Sequence, residues 1–236
     1  MENNVHSQHR QRMRDRFLSQ GLDGFQEHQI LEMLLFYAIP RIDTNVIAHR
    51  LIDKFGSLRG VLDAEYNDLI KVDGIGDSSA CLIKFVASTA RSYLLSEAKT
   101  TGSYDTTEKI GNYLIPLFMN CSIEKTYVLI FNGKLELIDT LFICEGSINS
   151  TSFSPRSVVE KVISNKAAGF VLAHNHPSGL AIPSTDDIEL TSQMNYICEH
   201  LNINFLDHFV VAGNTYTPIL GRKFILAQGN VSNLTD

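Results

Sequence analysis

The chain has 236 residues, 44% of them hydrophobic, and a formal net charge of −6. That length allows one large or two small domains with their own cores, and no apolar run approaches the length of a membrane span. The opening MENNVHSQHRQRMRDR lacks a signal peptide's apolar segment, and Cys81, Cys121, Cys144 and Cys198 lie far apart with no C-x-x-C, so the expectation is a cytoplasmic protein with reduced thiols and no membrane partner.

Up to about residue 95, apolar residues recur at helical spacing: Ile30, Leu31, Leu34 and Leu35, then Val46, Ile47, Leu51 and Ile52, then Leu82, Ile83 and Val86. Pro40 and Gly56 separate the first helices. Residues 69–76, LIKVDGIG, place Gly74 and Gly76 between two short helices, the pattern of a helix-hairpin-helix module. Glycines allow the tight bend, and amides at a helix N-terminus can face a phosphate, so Gly74 and Gly76 are the candidate DNA contacts. Charge argues the other way. Residues 1–101 hold 12 Lys/Arg against 13 Asp/Glu, and Asp73 and Asp77 flank the hairpin. The basic cluster Arg10, Arg12, Arg14 and Arg16 reads as a solvated helical face or as a phosphate-contacting arm. Such a hairpin can also serve as a packing or protein-docking unit.

Residues 98–105, AKTTGSYD, are small, polar and turn-prone, and read as a linker or surface connection. The division expected is a helical domain over 1–101 and a metal-binding domain over 105–227. In the second part, residues 110–117 read as a short helix. Residues 124–131 and 135–143 read as strands joined by a tight turn at Asn132 and Gly133. A helix over 155–165 has Pro155 near its first turn. An apolar strand over 168–173, a helix over about 184–201 and a strand over 204–211 follow. The fold class expected is α+β or α/β, an all-helical N-terminal domain followed by a mixed α/β domain.

Residues 174–187 read HNHPSGLAIPSTDD. In extended chain, residues two apart share a side, so His174 and His176 can converge as their strand ends. Pro177, Gly179 and Pro183 punctuate a loop, and Ser184 is placed as a helix N-cap with Asp187 at the capping-box position. That puts Asp187 in the first helical turn, pointing back at the histidines. Two imidazoles and a carboxylate suit a divalent cation, zinc above all. Three protein ligands leave a fourth tetrahedral position open, which marks a catalytic rather than a structural site. The letters H-N-H do not indicate the nuclease of that name, whose residues are dispersed along a hairpin–helix unit. Downstream, Asp207 and His208 read either as a pair of which one orients a ligating imidazole or as a strand-edge pair satisfying local backbone.

His174-x-His176-Pro177, followed by Ser184 and Asp187 at these spacings, resembles the JAMM signature of the MPN/JAB-domain metalloproteins. HNHPSG together with LDHF over 206–209 is similar to the RadC branch of that superfamily, and the Gly74 to Gly76 hairpin and residues 55–58, FGSL, resemble its N-terminal domain. The resemblance implies an α/β domain with one zinc ion per chain at a strand end, held by His174, His176 and Asp187, with Ser184 orienting or stabilising an oxyanion. Proteolytic members cleave amide or isopeptide bonds, so a peptide or protein substrate is implied. They use an upstream glutamate as general acid/base, for which Glu124 is the best-placed candidate and Glu145 and Glu160 are weaker ones. Where many RadC sequences carry a glutamate after Pro-Arg, this chain has Ser157.

Two functional classes follow. One is a zinc-dependent metallohydrolase of the peptidase type. The other is a DNA-associated accessory protein, in keeping with the DNA-repair label RadC proteins carry, whose metal site is structural or vestigial. Two-metal phosphodiester chemistry is disfavoured because it needs more carboxylates near the site.

Overall fold

The computed structural model describes residues 2–99, 102–146, 153–177 and 179–222. Ser178 of the histidine motif, residues 100–101 of the expected connection and residues 223–227 at the expected end of the second domain lie outside them. The chain separates into two compact units, residues 1–92 and 93–236.

The first unit is helical: α1 (Glu2–Gln20), α2 (Glu27–Leu35), α3 (Asn45–Phe55), α4 (Leu58–Asp63), α5 (Tyr66–Leu69) and most of α6 (Asp77–Lys99). Its core is Leu31, Leu35, Ile47, Leu51, Val61, Leu69, Ile75 and Ile83, residues that the 3.6-residue period puts on inward faces. Helix α3 ends at Gly56, whose φ of 82° lets its amide turn back to the Ile52 carbonyl at 2.7 Å. Ser57 then caps α4, its Oγ accepting the Gly60 amide at 3.0 Å.

Helix α1 shows what its arginines are for. Arg10 donates to the carbonyls of Phe36, Ile39 and Ile42 at 3.3, 2.8 and 2.7 Å, closing the chain end left open after α2. The guanidinium groups of Arg10, Arg14 and Arg16 lie over the rings of Phe36, Tyr37 and Phe25 at 4.8, 5.8 and 4.3 Å. His9 Nε2 meets the buried Glu32 carboxylate at 2.8 Å, and Met13 is buried with Met33 and Phe36. Three of the four arginines in the basic cluster thus clamp α1 to its own domain.

The second unit is built on a five-stranded mixed sheet, with β1 (Lys125–Phe131), β2 (Leu137–Glu145), β3 (Gly169–Asn175), β4 (Asn204–Ala212) and β5 (Thr215–Pro218) in the order β2-β1-β3-β4-β5. Only β3 and β4 are parallel, which requires a crossover, and α9 (Thr185–His200) supplies it. Alternation sorts the strand residues onto two faces. Leu129, Phe131, Val171, Ala173 and Phe209 pack with α7 (Thr107–Leu117). Val128, Ile130, Phe170 and Leu172 pack with α8 (Pro155–Ser164) and α9. Strand β3 is buried throughout, as its unbroken apolar run requires.

Two expectations are corrected, and one strand is added. The stretch read as a connection over 98–105 begins inside α6. Its Tyr104 is 1% exposed and donates its amide to the Leu135 carbonyl at 2.7 Å, because an aromatic ring with a ladder partner outweighs polar neighbours. The turn at Asn132 and Gly133 is longer than two residues. Asn132 Oδ1 accepts the amides of Lys134 and Glu136 at 2.9 and 3.0 Å, and Leu135, at φ 60°, turns into the core. Strand β5 was not foreseen; four residues ending at Pro218 give little periodic signal, and Pro is tolerated there because β5 is an edge. No helix among the described residues is long and apolar enough to cross a membrane.

Candidate metal centre

The α9-side face of β3 runs Phe170, Leu172, His174. The first two are core residues; the third comes where the strand ends. His176 follows on the same side, its amide held by the Val211 carbonyl of β4 at 2.8 Å. The loop over 177–183 then delivers Ser184, which caps α9 reciprocally. Ser184 Oγ accepts the Asp187 amide at 3.2 Å, and Asp187 Oδ2 accepts the Ser184 amide at 2.7 Å. The cap aims Asp187 at the strand end. His174 is 0% exposed and Asp187 4%, while the His176 side chain keeps 19%, so the group opens to solvent on the His176 side.

Ligand atoms of His174, His176 and Asp187 all lie within 4.8 Å of one another. The two Nε2 atoms are 3.0 Å apart. His174 Nε2 is 3.2 Å from Asp187 Oδ1, and His176 Nε2 is 3.5 Å from Asp187 Oδ2. Zinc–nitrogen and zinc–oxygen bonds of about 2.0–2.2 Å make tetrahedral edges of about 3.3–3.6 Å. The observed separations scatter around those edges. The donor set fits as well. His176 Nδ1 lies 3.1 Å from the Leu180 carbonyl, which can only accept, so a neutral His176 presents a lone pair at Nε2. Converging lone pairs and a carboxylate repel unless a cation or proton stands between them.

Burial alone would raise the Asp187 pKa. The His174 imidazole beside it, with the hydroxyl and amide of Ser184, overrides that and holds the carboxyl well below its ordinary value. Asp187 is therefore anionic wherever the protein is folded near neutrality, the state a ligand needs. The proton of Ser184 Oγ lies on Asp187 Oδ2 at 2.7 Å, so here the hydroxyl orients the carboxylate.

Behind the ligands, the two residues read together at 207 and 208 part company, since neighbours on a strand face opposite sides. His208 is fully buried and its Nε2 stands 2.8 Å from His174 Nδ1. Burial, then the neighbouring His174, push its pKa well below the ordinary histidine value and keep it neutral. Asp207 turns away from the ligands. Its carboxylate accepts the amides of His208, Leu220 and Gly221 at 2.7, 2.9 and 3.0 Å and ties down the chain after β5. Of the two, His208 is therefore the one beside a candidate ligand, and Asp207 satisfies backbone groups. Sequence reasoning missed Thr191, buried between Asp187 and His208. Its place four residues after Asp187 on one helix face was the available signal.

Glu124 stands one residue before β1. The β1–β3 pairing ends at Thr126 and His174, with Glu124 two residues before the one and His176 two residues after the other, and the Asn175 side chain bonds the Lys125 amide and the Ile123 carbonyl at 2.7 and 3.1 Å. The alternative glutamates are taken up in surface ion pairs, Glu145 with Lys125 Nζ at 3.2 Å and Glu160 with Arg156 Nε at 2.7 Å. Among the described residues, no hydrogen bond or ion pair engages the Glu124 carboxylate. Thr126, the register partner of His174, carries a buried hydroxyl without a hydrogen-bond partner. In the helical unit, Gly74 sits at φ 94° against the Ile47 side chain, between α5 and α6. The cations near that turn are engaged: Arg50 with Asp73 at 2.7 Å, Lys71 with Asp68 at 2.8 Å, and Lys54 with the Asp68 carbonyl at 2.8 Å.

Fold and site together define a mixed α/β protein with a two-histidine, one-aspartate group at a strand end. The family model for the RadC-like JAB domain matches residues 104–223. The UPF0758 protein FN0909 of Fusobacterium nucleatum subsp. nucleatum is 35% identical, the match covering 92% of this chain and 97% of that protein. The chain belongs to the RadC family.

Proposed function

We propose that the second unit is a zinc-dependent hydrolase acting on amide or isopeptide bonds of a peptide or protein. The observation that carries this reading is the convergence of three ligand atoms within 4.8 Å, with solvent access on the His176 side. Zinc held by His174, His176 and Asp187 would polarise a carbonyl and lower the pKa of water. The chain's own residues supply the rest. Glu124, two residues before the position paired with His174, takes the proton of the attacking water and returns it to the leaving nitrogen. Ser184 keeps the Asp187 carboxylate aimed, and its hydroxyl would stabilise a developing oxyanion only by turning its single proton from Asp187 Oδ2 to that oxygen. The test is turnover of amide-linked and isopeptide-linked peptides by the zinc-loaded full chain. Activity is expected to vanish with chelator and return with zinc. A fully loaded protein that hydrolyses none of them would leave a structural metal site instead.

A second reading, direct DNA contact through residues 1–101, draws on the Gly74 to Gly76 turn at the start of α6. The aspartate-paired cations and the clamped arginines of α1 weigh against strong binding. We expect the full chain to bind duplex DNA weakly, with an affinity that falls steeply with salt. No binding at low salt would remove this reading.

A further inference from the structure

The hydrogen bonds behind the ligands have a direction. A backbone carbonyl only accepts, so the Thr191 hydroxyl, 2.6 Å from the Asp187 carbonyl, spends its single proton there. The same oxygen then offers lone pairs to His208 Nδ1 at 2.7 Å, and that nitrogen must carry the proton. A neutral imidazole has one N–H, so His208 Nε2 is an acceptor, and His174 Nδ1, 2.8 Å away, donates to it. In the neutral His174 the lone pair would then sit at Nε2, the atom facing His176 and Asp187.

We propose that Thr191 is a positioning residue which, through His208, fixes His174 in its Nδ1–H tautomer and so decides which nitrogen meets the metal. The inference rests on the reading of His174, His176 and Asp187 as a metal centre, and it adds how that centre is kept ready. The chain of bonds closes on Asp187 itself. One turn of α9 provides both a carboxylate ligand and, four residues on, the hydroxyl that anchors the tautomer of an imidazole on β3, with β4 between them. Valine has nearly the shape of threonine but cannot accept. In Thr191→Val, a proton on His208 Nδ1 would be buried without a partner. The other tautomer relieves this by placing the proton on Nε2, toward His174 Nδ1. His174 must then protonate Nε2, where the metal belongs.

Nitrogen-15 spectra of the imidazoles in the metal-free full chain read the tautomers directly, and competition with a chromophoric chelator reads zinc affinity. We expect His174 and His208 both as Nδ1–H in the wild type, a shift of both toward Nε2–H in Thr191→Val, and zinc binding weaker by about 10- to 100-fold. Thr191→Ser, which keeps the hydroxyl, should restore both. A purely structural role for Thr191 would lower thermal stability without moving the tautomers. The proposal is overturned if wild-type His208 is found as Nε2–H, or if Thr191→Val keeps His174 as Nδ1–H with zinc affinity unchanged. The wild-type spectrum decides the direction of the chain whether or not the valine variant folds. A wild type that shows these tautomers but binds no zinc would sink the metal centre and leave the hydrogen-bond assignment standing.

Discussion

His176→Ala is expected to purify folded but without stoichiometric zinc, and the wild type is expected to carry one ion per chain. Of the three ligands, His176 is the one to remove. Its side chain is 19% exposed, and the ring makes one hydrogen bond outside the ligand group, to the Leu180 carbonyl. His174 is fully buried among Leu172, His208 and the strand neighbours, and Asp187 holds the N-cap of α9, so either of those substitutions would confuse a lost ligand with a damaged fold. Zinc sites of four protein ligands bind with about 10–16 kcal/mol, or about 3–4 kcal/mol per ligand. Losing one corresponds to a loss of roughly 10²- to 10³-fold in affinity. Elemental analysis and a zinc titration followed by thermal melting check this. Zinc should raise the melting temperature of the wild type and leave that of His176→Ala unmoved at the same concentration. Equal zinc in the two proteins would sink the metal reading.

Glu124→Gln should have the opposite signature, full zinc content with kcat on an amide substrate reduced about 10²- to 10⁴-fold, the usual contribution of a positioned acid/base group. The amide preserves size and hydrogen bonding but cannot take a proton. Glu124 lies outside the ligand group, so its loss leaves the donor atoms untouched. Glu145 and Glu160 serve as internal controls, because each is engaged by a surface cation. Their glutamine variants should keep activity. Undiminished turnover in Glu124→Gln would move the base elsewhere.

Much of this molecule was legible one element at a time. The helices of the first unit, the buried strand β3 and the capped start of α9 follow from spacing, turn residues and a single capping box, all of which act over a few residues. The ligand trio was legible for the same reason. His174 and His176 are two apart on a strand end, and Asp187 sits at a fixed offset from its cap. Less accessible were features whose partners lie far along the chain. Tyr104 looked like part of a connection because its ladder partner, Leu135, is in the next hairpin. The arginines of α1 looked free because the rings and carbonyls they engage belong to residues 24–42.

The sequence by itself determined which atoms can hold the metal, because that set is assembled by local geometry within fourteen residues. The tertiary structure alone decided how the set is served from behind. His208 reaches His174 across 34 residues because β4 lies parallel beside β3, and Thr191 reaches His208 across 17 because α9 packs on that face. Alternation can say that Asp207 and His208 point to opposite sides. Which side meets the metal depends on register between strands, and no local rule of propensity or capping carries that information.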